Sequence, residues 1–232
     1  MKVALIGYGA MGRLIGSLLS ERGHQTFVAI DEDYVDFSAA ELAVEIEGAE
    51  VAIDFTAAAA VHRNVEACMR AGIHLVEGTT GWNSEMDTIK KLVDDAEGGM
   101  VFGANFSVGV NIFYRIAEFA AELFANFPEY EVFIEEQHHS RKLDSPSGTA
   151  LKLKQIVSRH IAGEIGVAST RAGNIPGTHR VGFDGTSDQI LLEHAARSRE
   201  GFAFGAILAA EWIIDKKGFY EFSEVMDEML TR

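Results

Sequence analysis

The sequence predicts an α/β protein in two parts: a doubly wound parallel sheet, and an inserted α+β domain with a mostly antiparallel sheet. Three observations predict it. Short apolar runs alternate with helical patterns over the first hundred or so residues, the signature of βαβ units with helices on both faces. After Asn105, strand-like stretches follow one another with few helices between them, as antiparallel neighbours do. From Phe202 strong helical periodicity returns, so the C-terminal stretch can cover the first part. The boundaries that follow are 1–106 with 202–232 for one domain and 107–201 for the other, within the size range of 232 residues.

The elements run in order as follows. A strand over Lys2 to Ile6 meets Gly7-Tyr8-Gly9-Ala10-Met11-Gly12, and a helix starts at about Ala10. In this strand-to-helix context the glycines suit a dinucleotide: the first allows a tight turn, the second lets the backbone approach a pyrophosphate, the third lets helix and strand pack closely. The next strand, Thr26 to Ile30, ends at Asp31, where an acid binds the ribose hydroxyls. This makes the first part Rossmann-like. A strand at Val51 to Phe55, a helix over Ala58 to Ala71, a strand at His74 to Val76, a helix over Asn83 to Ala96 and a strand at Met100 to Gly103 complete it. Two loops leave strand ends, Gly78-Thr79-Thr80-Gly81 and Gly103-Ala104-Asn105-Phe106-Ser107, and parallel sheets bind ligands at such ends. Asn105 fits a helix-approach role equally well. A long amphipathic helix from about Val108 to Phe124 follows, then strands near Tyr130, Val167, Arg180 and Gln189, a helix opening at Ser147, and two helical stretches, Phe202 to Asp215 and Phe219 to Leu230.

Asp31, Glu32 and Asp33 in succession would repel a 2′-phosphate, so NADH is expected over NADPH, although Arg13 stands just past the glycine turn. The net charge is −15, from 20 Lys+Arg against 35 Asp+Glu. Between His138 and Arg180 there are seven cations, two acids and four of the eight His, which leaves 13 cations and 33 acids elsewhere. A locally basic region on an acidic chain suits a small anion and excludes nucleic acid, which the surrounding field repels; a plain solvated basic face is the alternative. No apolar run is long enough to span a membrane, and the N-terminus runs straight into a strand, so a soluble, cytoplasmic protein is expected. Cys68, the single cysteine, reads as a small buried hydrophobe.

Glu135 to Ala150, EEQHHSRKLDSPSGTA, gathers proton donors, cations and a helix start in sixteen residues. An extended run ends at His138 and His139, Lys142 follows, and Ser147, Gly148 and Thr149 open a helix after Pro146. Unpaired N–H groups at a helix start, with the helix dipole, bind carboxylates. By helix statistics alone the same three residues read as an ordinary N-cap after a proline turn, and the two roles are compatible. Adjacent residues of an extended chain point to opposite sides, so the two histidines do different jobs and do not share a metal; a structural role for one of them stays open.

With GYGAMGR, Asp54-Phe55-Thr56, EGTTG (77–81), ANFSVGVN (104–111) and HHSRKLDSPSGTA in this order, the chain resembles the 4-hydroxy-tetrahydrodipicolinate reductase family from residue 2 to the C-terminal helices. The resemblance implies NAD(P)H-dependent reduction of a cyclic imine dicarboxylate in diaminopimelate and lysine synthesis. It makes His138 a proton donor or acceptor and Lys142 the proton donor, with His139, Ser147, Gly148 and Thr149 on the substrate. It assigns the cofactor to Gly7 through Gly12, Asp31, Gly78, Thr79, Thr80 and Gly103 through Phe106, with no metal, and implies a homotetramer formed through the second domain's sheet. The chain departs from the common pattern in a glycine turn one residue shorter, in Asp31 where Glu is frequent, in Ser145 where Ala is usual, and in a shorter second domain. Two other readings remain: a different two-domain amino-acid dehydrogenase, and a redox sensor that binds NADH without turnover.

Overall fold

In the computed structural model, which describes residues 1–231, the chain divides into two compact units, 1–108 with 202–231 and 109–201. The first is built on a six-stranded parallel sheet. Its strands are β1 (Lys2–Ile6), β2 (Gln25–Ile30), β3 (Val51–Asp54), β4 (His74–Glu77), β5 (Gly99–Phe102) and β10 (Gly218–Glu221), in the order β10-β5-β4-β3-β1-β2. The helices between them are α1 (Ala10–Glu21), α2 (Ala39–Ile46), α3 (Ala58–Ala71) and α4 (Met86–Asp95); α7 (Glu200–Ile213) and α8 (Phe222–Leu230) follow the insertion. β1, β3 and the centre of β4 are buried on both faces, which is why they read as unbroken apolar runs and not as alternation. One core of the unit joins Ala4, Ile6, Leu42, Ile46, Val61, Val65, Leu75 and Met100, with Cys68 inside it as expected.

Two elements here depart from the sequence expectation. α2 is an additional helix, closed by a capping box in which Ser38 Oγ accepts from the Glu41 N–H and the Glu41 carboxylate accepts from the Ser38 N–H. The expected helix over Phe219 to Leu230 is in fact β10 followed by the shorter α8. The first turn of that segment is extended because Gly218 breaks the helix at φ +124 and Phe219 stacks on Phe102 of β5, centroids 4.5 Å apart. An aromatic run with a neighbouring strand edge to pair with goes extended even where its periodicity suits a helix.

The second unit has a four-stranded sheet in the order β7-β6-β8-β9, from β6 (Glu131–His138), β7 (Gly166–Arg171), β8 (Thr178–Asp184) and β9 (Gln189–Ala195). β6 pairs antiparallel with β8, and β8 with β9, but β6 and β7 are parallel. The sheet is therefore mixed, and α6 (Gly148–Val157) supplies the crossover that a parallel pair requires. α5 (Val108–Phe124) and α6 cover one face, where Phe113, Ala117, Ile134, Leu153, Val181 and Phe183 form the core. Among the described residues no helix is long and apolar enough to cross a membrane.

Candidate active site

In the first unit the glycine turn leaves β1 with Gly7 at φ +87, its N–H bonded to the Ile30 carbonyl at 2.9 Å, which sets the turn beside the end of β2. A Cβ on Gly12 would lie 2.2 Å from the Gly7 oxygen, so turn and helix touch there, whereas a Cβ on Gly9 would meet nothing within 4 Å. A tight turn with open space beside its central glycine is the cradle a pyrophosphate needs, so the residues present fit a dinucleotide. Tyr8 and Met11 are half-buried and Ala10 is exposed. Arg13 folds back so that its Nε donates to the Tyr8 carbonyl at 3.0 Å. Asp31 follows β2 on the surface with Glu32 and Asp33, all three exposed.

The two further loops leave the ends of β4 and β5 and, with the end of β10, line a depression of about 480 Å³. Thr79 is buried: its N–H donates to Glu77 at 2.7 Å, its hydroxyl accepts from the Thr56 N–H at 2.9 Å, and its carbonyl accepts from Trp82 Nε1 at 2.8 Å. Thr80 and Ala104 are exposed, Gly78 lies against the Phe55 ring, and Gly103 is buried beside Phe222. Asn105 Oδ1 caps the Ser107 N–H at 2.9 Å, which is the helix-approach role. The Phe106 ring is core, packed on Phe222 with centroids 4.7 Å apart, so its side chain is taken up by packing.

In the second unit, period-two alternation carries the core face of β6 straight into a polar site. Ile134, Glu136 and His138 share that face and are all buried. Glu136 is the hub. Its carboxylate accepts from Arg171 NH1 at 2.9 Å and NH2 at 2.7 Å, from the Ser147 N–H at 3.2 Å, and from His138 Nδ1 in a very short bond. Burial alone would raise its pKa, but the bonds from Arg171, Ser169 and His138 outweigh it and bring the group down to about 2. Arg171 also donates to the Asp144 carbonyl at 2.6 Å and so ties down the loop that carries Lys142. Lys142 pairs with Asp144 at 2.8 Å.

Burial lowers the pKa of His138 while Glu136 pulls it up, and the Lys142 and Arg171 charges push it down again. Its Nε2 faces Gly177, where an added Cβ would stand 3.0 Å away. Next to it His179, its ring centroid 5.0 Å from that of His138, bonds Ser147 Oγ at 3.0 Å and is held neutral by burial, at about 4. Ser147 Oγ also caps α6 by accepting from the Ala150 N–H at 3.2 Å, so the buried Ser147 side chain is occupied within the protein. The ordinary-cap reading therefore describes Ser147, and two of the N–H groups expected for a ligand are spent on Glu136 and on the cap itself. Gly148 is exposed with open space beside it, and Thr149 and His139 are half-buried nearby in sequence.

The sequence reading brought together His138 and Lys142 and missed their supports. The partner of His138 is Glu136 two residues upstream, a spacing that an extended strand turns into a shared face. Arg171, Gly177 and His179 come from β7, β8 and the turn between them, and no local signal joined them to His138. Glu136, His138 and His179 place their donor atoms within 4.8 Å of one another, so the histidine that neighbours His138 in space is His179 and not His139. In this arrangement Arg171 occupies both Glu136 oxygens.

Comparison with known proteins agrees across the whole chain. The family model described as dihydrodipicolinate reductase, N-terminus, matches residues 1–106, and that of the C-terminus matches 109–226. A 4-hydroxy-tetrahydrodipicolinate reductase of Archaeoglobus fulgidus is 39% identical over 98% of this chain and 100% of its own. One from Christiangramia forsetii is 34% identical over 99% of each. Among solved structures, a dipicolinate-bound dihydrodipicolinate reductase from Paenisporosarcina sp. TG-14 shares the fold, with a TM-score of 0.74 at 24% identity over 97% of this chain and 99% of its own.

Proposed function

Because this chain belongs to the dihydrodipicolinate reductase family, we propose that it reduces 4-hydroxy-tetrahydrodipicolinate to tetrahydrodipicolinate, with loss of water, in diaminopimelate and lysine biosynthesis. It is an NAD(P)H-dependent oxidoreductase. The observation that carries the assignment of roles is the buried Glu136–His138 pair beside Lys142, with exposed Gly148 at the start of α6.

A bound dinucleotide supplies the hydride. When the 4-hydroxyl leaves as water with a hydrogen from the neighbouring ring carbon, the C=N bond becomes conjugated with a ring C=C. Hydride arrival at C4, the far end of that C=C, drives electron density onto nitrogen, where the Lys142 ammonium stabilises it and delivers the proton that restores the imine. His138 gives its Nδ1 hydrogen to the ionised Glu136, which leaves Nε2 as an acceptor; of its two possible roles, the geometry favours taking a proton, with Glu136 stabilising the imidazolium that results. His139, Gly148 and Thr149 receive the substrate's carboxylates, with Ser147 contributing through the helix it caps. Gly7 to Gly12, Asp31, Gly78 to Thr80 and Gly103 to Phe106 hold the cofactor. Three exposed acids at 31–33, with Arg13 turned back on the Tyr8 carbonyl, favour NADH over NADPH. We place the enzyme in the cytoplasm, as a homotetramer built on the uncovered face of the second sheet.

Purified protein supplied with the imine should oxidise NADH, with at least tenfold lower kcat/KM for NADPH, and pyridine-2,6-dicarboxylate should compete with the imine. Lys142→Ala should lower kcat by about 10²- to 10⁴-fold with NADH binding little changed. Unchanged turnover in that variant removes Lys142 from the mechanism, and no oxidation of NADH by the native protein overturns the reaction itself.

A further inference from the structure

Under the loops assigned to the cofactor runs a buried polar chain that the hydride and proton steps do not use. Asp54 ends β3 and Glu77 ends β4, paired in register across the parallel ladder, and both are 0% exposed. Residues paired this way put their side chains on the same face of a sheet, on strands about 5 Å apart. Asp54 Oδ2 accepts from Asn64 Nδ2 at 2.7 Å, and Glu77 Oε1 accepts from the Thr79 N–H at 2.7 Å. One oxygen of each acid, Asp54 Oδ1 and Glu77 Oε2, is left buried with no partner outside the pair.

Two ionised carboxylates at this point would repel each other in a low-dielectric interior and leave both oxygens unsatisfied. The side chains that touch the pair, Asn64, Thr56 and Thr79, are neutral, and the facing Cys68 thiol on α3 is kept protonated by burial and by the two acids. A single proton between the acids removes one charge and gives each orphan oxygen a partner. Burial raises both groups, so the pair as a unit holds one proton between its two facing oxygens.

The chain extends from both acids to the cofactor loops. Asn64 Oδ1 accepts from Arg63 Nε at 3.1 Å and NH2 at 2.9 Å, and Arg63 NH1 donates to the Val35 carbonyl at 2.6 Å and to those of Tyr34 and Phe37 at 3.2 Å. That segment begins three residues after Asp31. At the other end, the Thr79 hydroxyl accepts from the Thr56 N–H at 2.9 Å.

We propose that Asp54 and Glu77 share one proton and are positioning residues for the dinucleotide, fixing the Thr79 loop directly and the segment after Asp31 through Asn64 and Arg63. The proposal rests on reading the first unit as the cofactor site. It is tested by NADH fluorescence titration and steady-state kinetics on native protein, Glu77→Gln and Glu77→Leu, together with a native-minus-Glu77→Gln infrared difference spectrum at neutral pH. The spectrum should show the C=O stretch of a protonated carboxyl. The Gln amide can donate to Asp54 and accept from Thr79, so Glu77→Gln should bind NADH within about twofold of native, while Glu77→Leu should bind about tenfold or more weakly with kcat at saturating cofactor held within about twofold. Absence of the carboxyl band, a Gln variant as impaired as the Leu variant, or a Leu variant with native affinity overturns the proposal. Should Glu77→Leu fail to fold by thermal melt, the band and the Gln variant decide alone. Binding and infrared readouts need no turnover: protein that binds NADH yet leaves the imine untouched sinks the proposed reaction and leaves this pair standing.

Discussion

A single imidazole, that of His138, is controlled here by its neighbours. Glu136 fixes which nitrogen of His138 carries hydrogen, and Gly177 keeps the other nitrogen clear. Gly177→Ala places a methyl 3.0 Å from Nε2 at φ +151, a backbone angle that disfavours any side chain, and should cut kcat/KM by about tenfold or more with NADH affinity unchanged; native kinetics in this variant would show Nε2 idle. Glu136 also sets an acid limit. Its pKa falls from an ordinary 4.5 to about 2 on folding, so its stabilising contribution is complete above 4.5 and is lost as pH falls toward 2. Urea midpoints taken at pH 7 and pH 3 should drop in the native protein and change less in Glu136→Gln, which should also start lower at pH 7; equal pH slopes would contradict the ionised hub. His138 and Lys142 were legible because their types and spacing carry chemistry on their own. Arg171 and His179 were not, since an arginine and a histidine in strands look alike whether they face a carboxylate or solvent until pairing register places them.

At the level of elements, the alternating strands and helices of the first hundred or so residues were readable because each buried strand is a short apolar run and each helix shows a 3.6-residue period. What escaped notice was short. The eight residues of α2 offer two helical turns, too few for periodicity to show, yet the Ser38-x-x-Glu41 box marked its start. Ser38→Ala should cost about 1 kcal/mol, read as a lower urea midpoint, and a variant as stable as native would make the box ornamental. The parallel β6–β7 pair escaped for the opposite reason: the Ser147 helix was seen, but its function as a crossover between neighbouring strands depends on sheet order. β10 hid inside a helical pattern, because extended pairing depends on a free strand edge over a hundred residues away at β5.

For the molecule as a whole, surplus acid outside the His138–Arg180 region keeps the net charge at −15, a field that repels nucleic acid. Of that region's cations, Lys142 and Arg171 lie at the candidate site, whereas Arg159 and Arg180 pair with acids elsewhere. Among the described residues of its unit, the second sheet is covered by helices, α5 and α6, on one face alone. On the other, Leu191 is 46% exposed near the Glu135–Arg180–Glu193 ladder, a mixed apolar and charged surface of the kind that self-pairs. Light scattering behind size exclusion should return about four times the chain mass of 25.3 kDa, and Leu191→Arg should yield smaller species; a native monomer would refute the assembly. The first sheet is closed at one edge by Gly218–Glu221, delivered after all ninety-odd residues of the second unit. During translation, then, the interior unit is synthesised while the earlier-made strands still wait, with β5 as an unmatched edge, for the stretch that carries β10 to leave the exit tunnel.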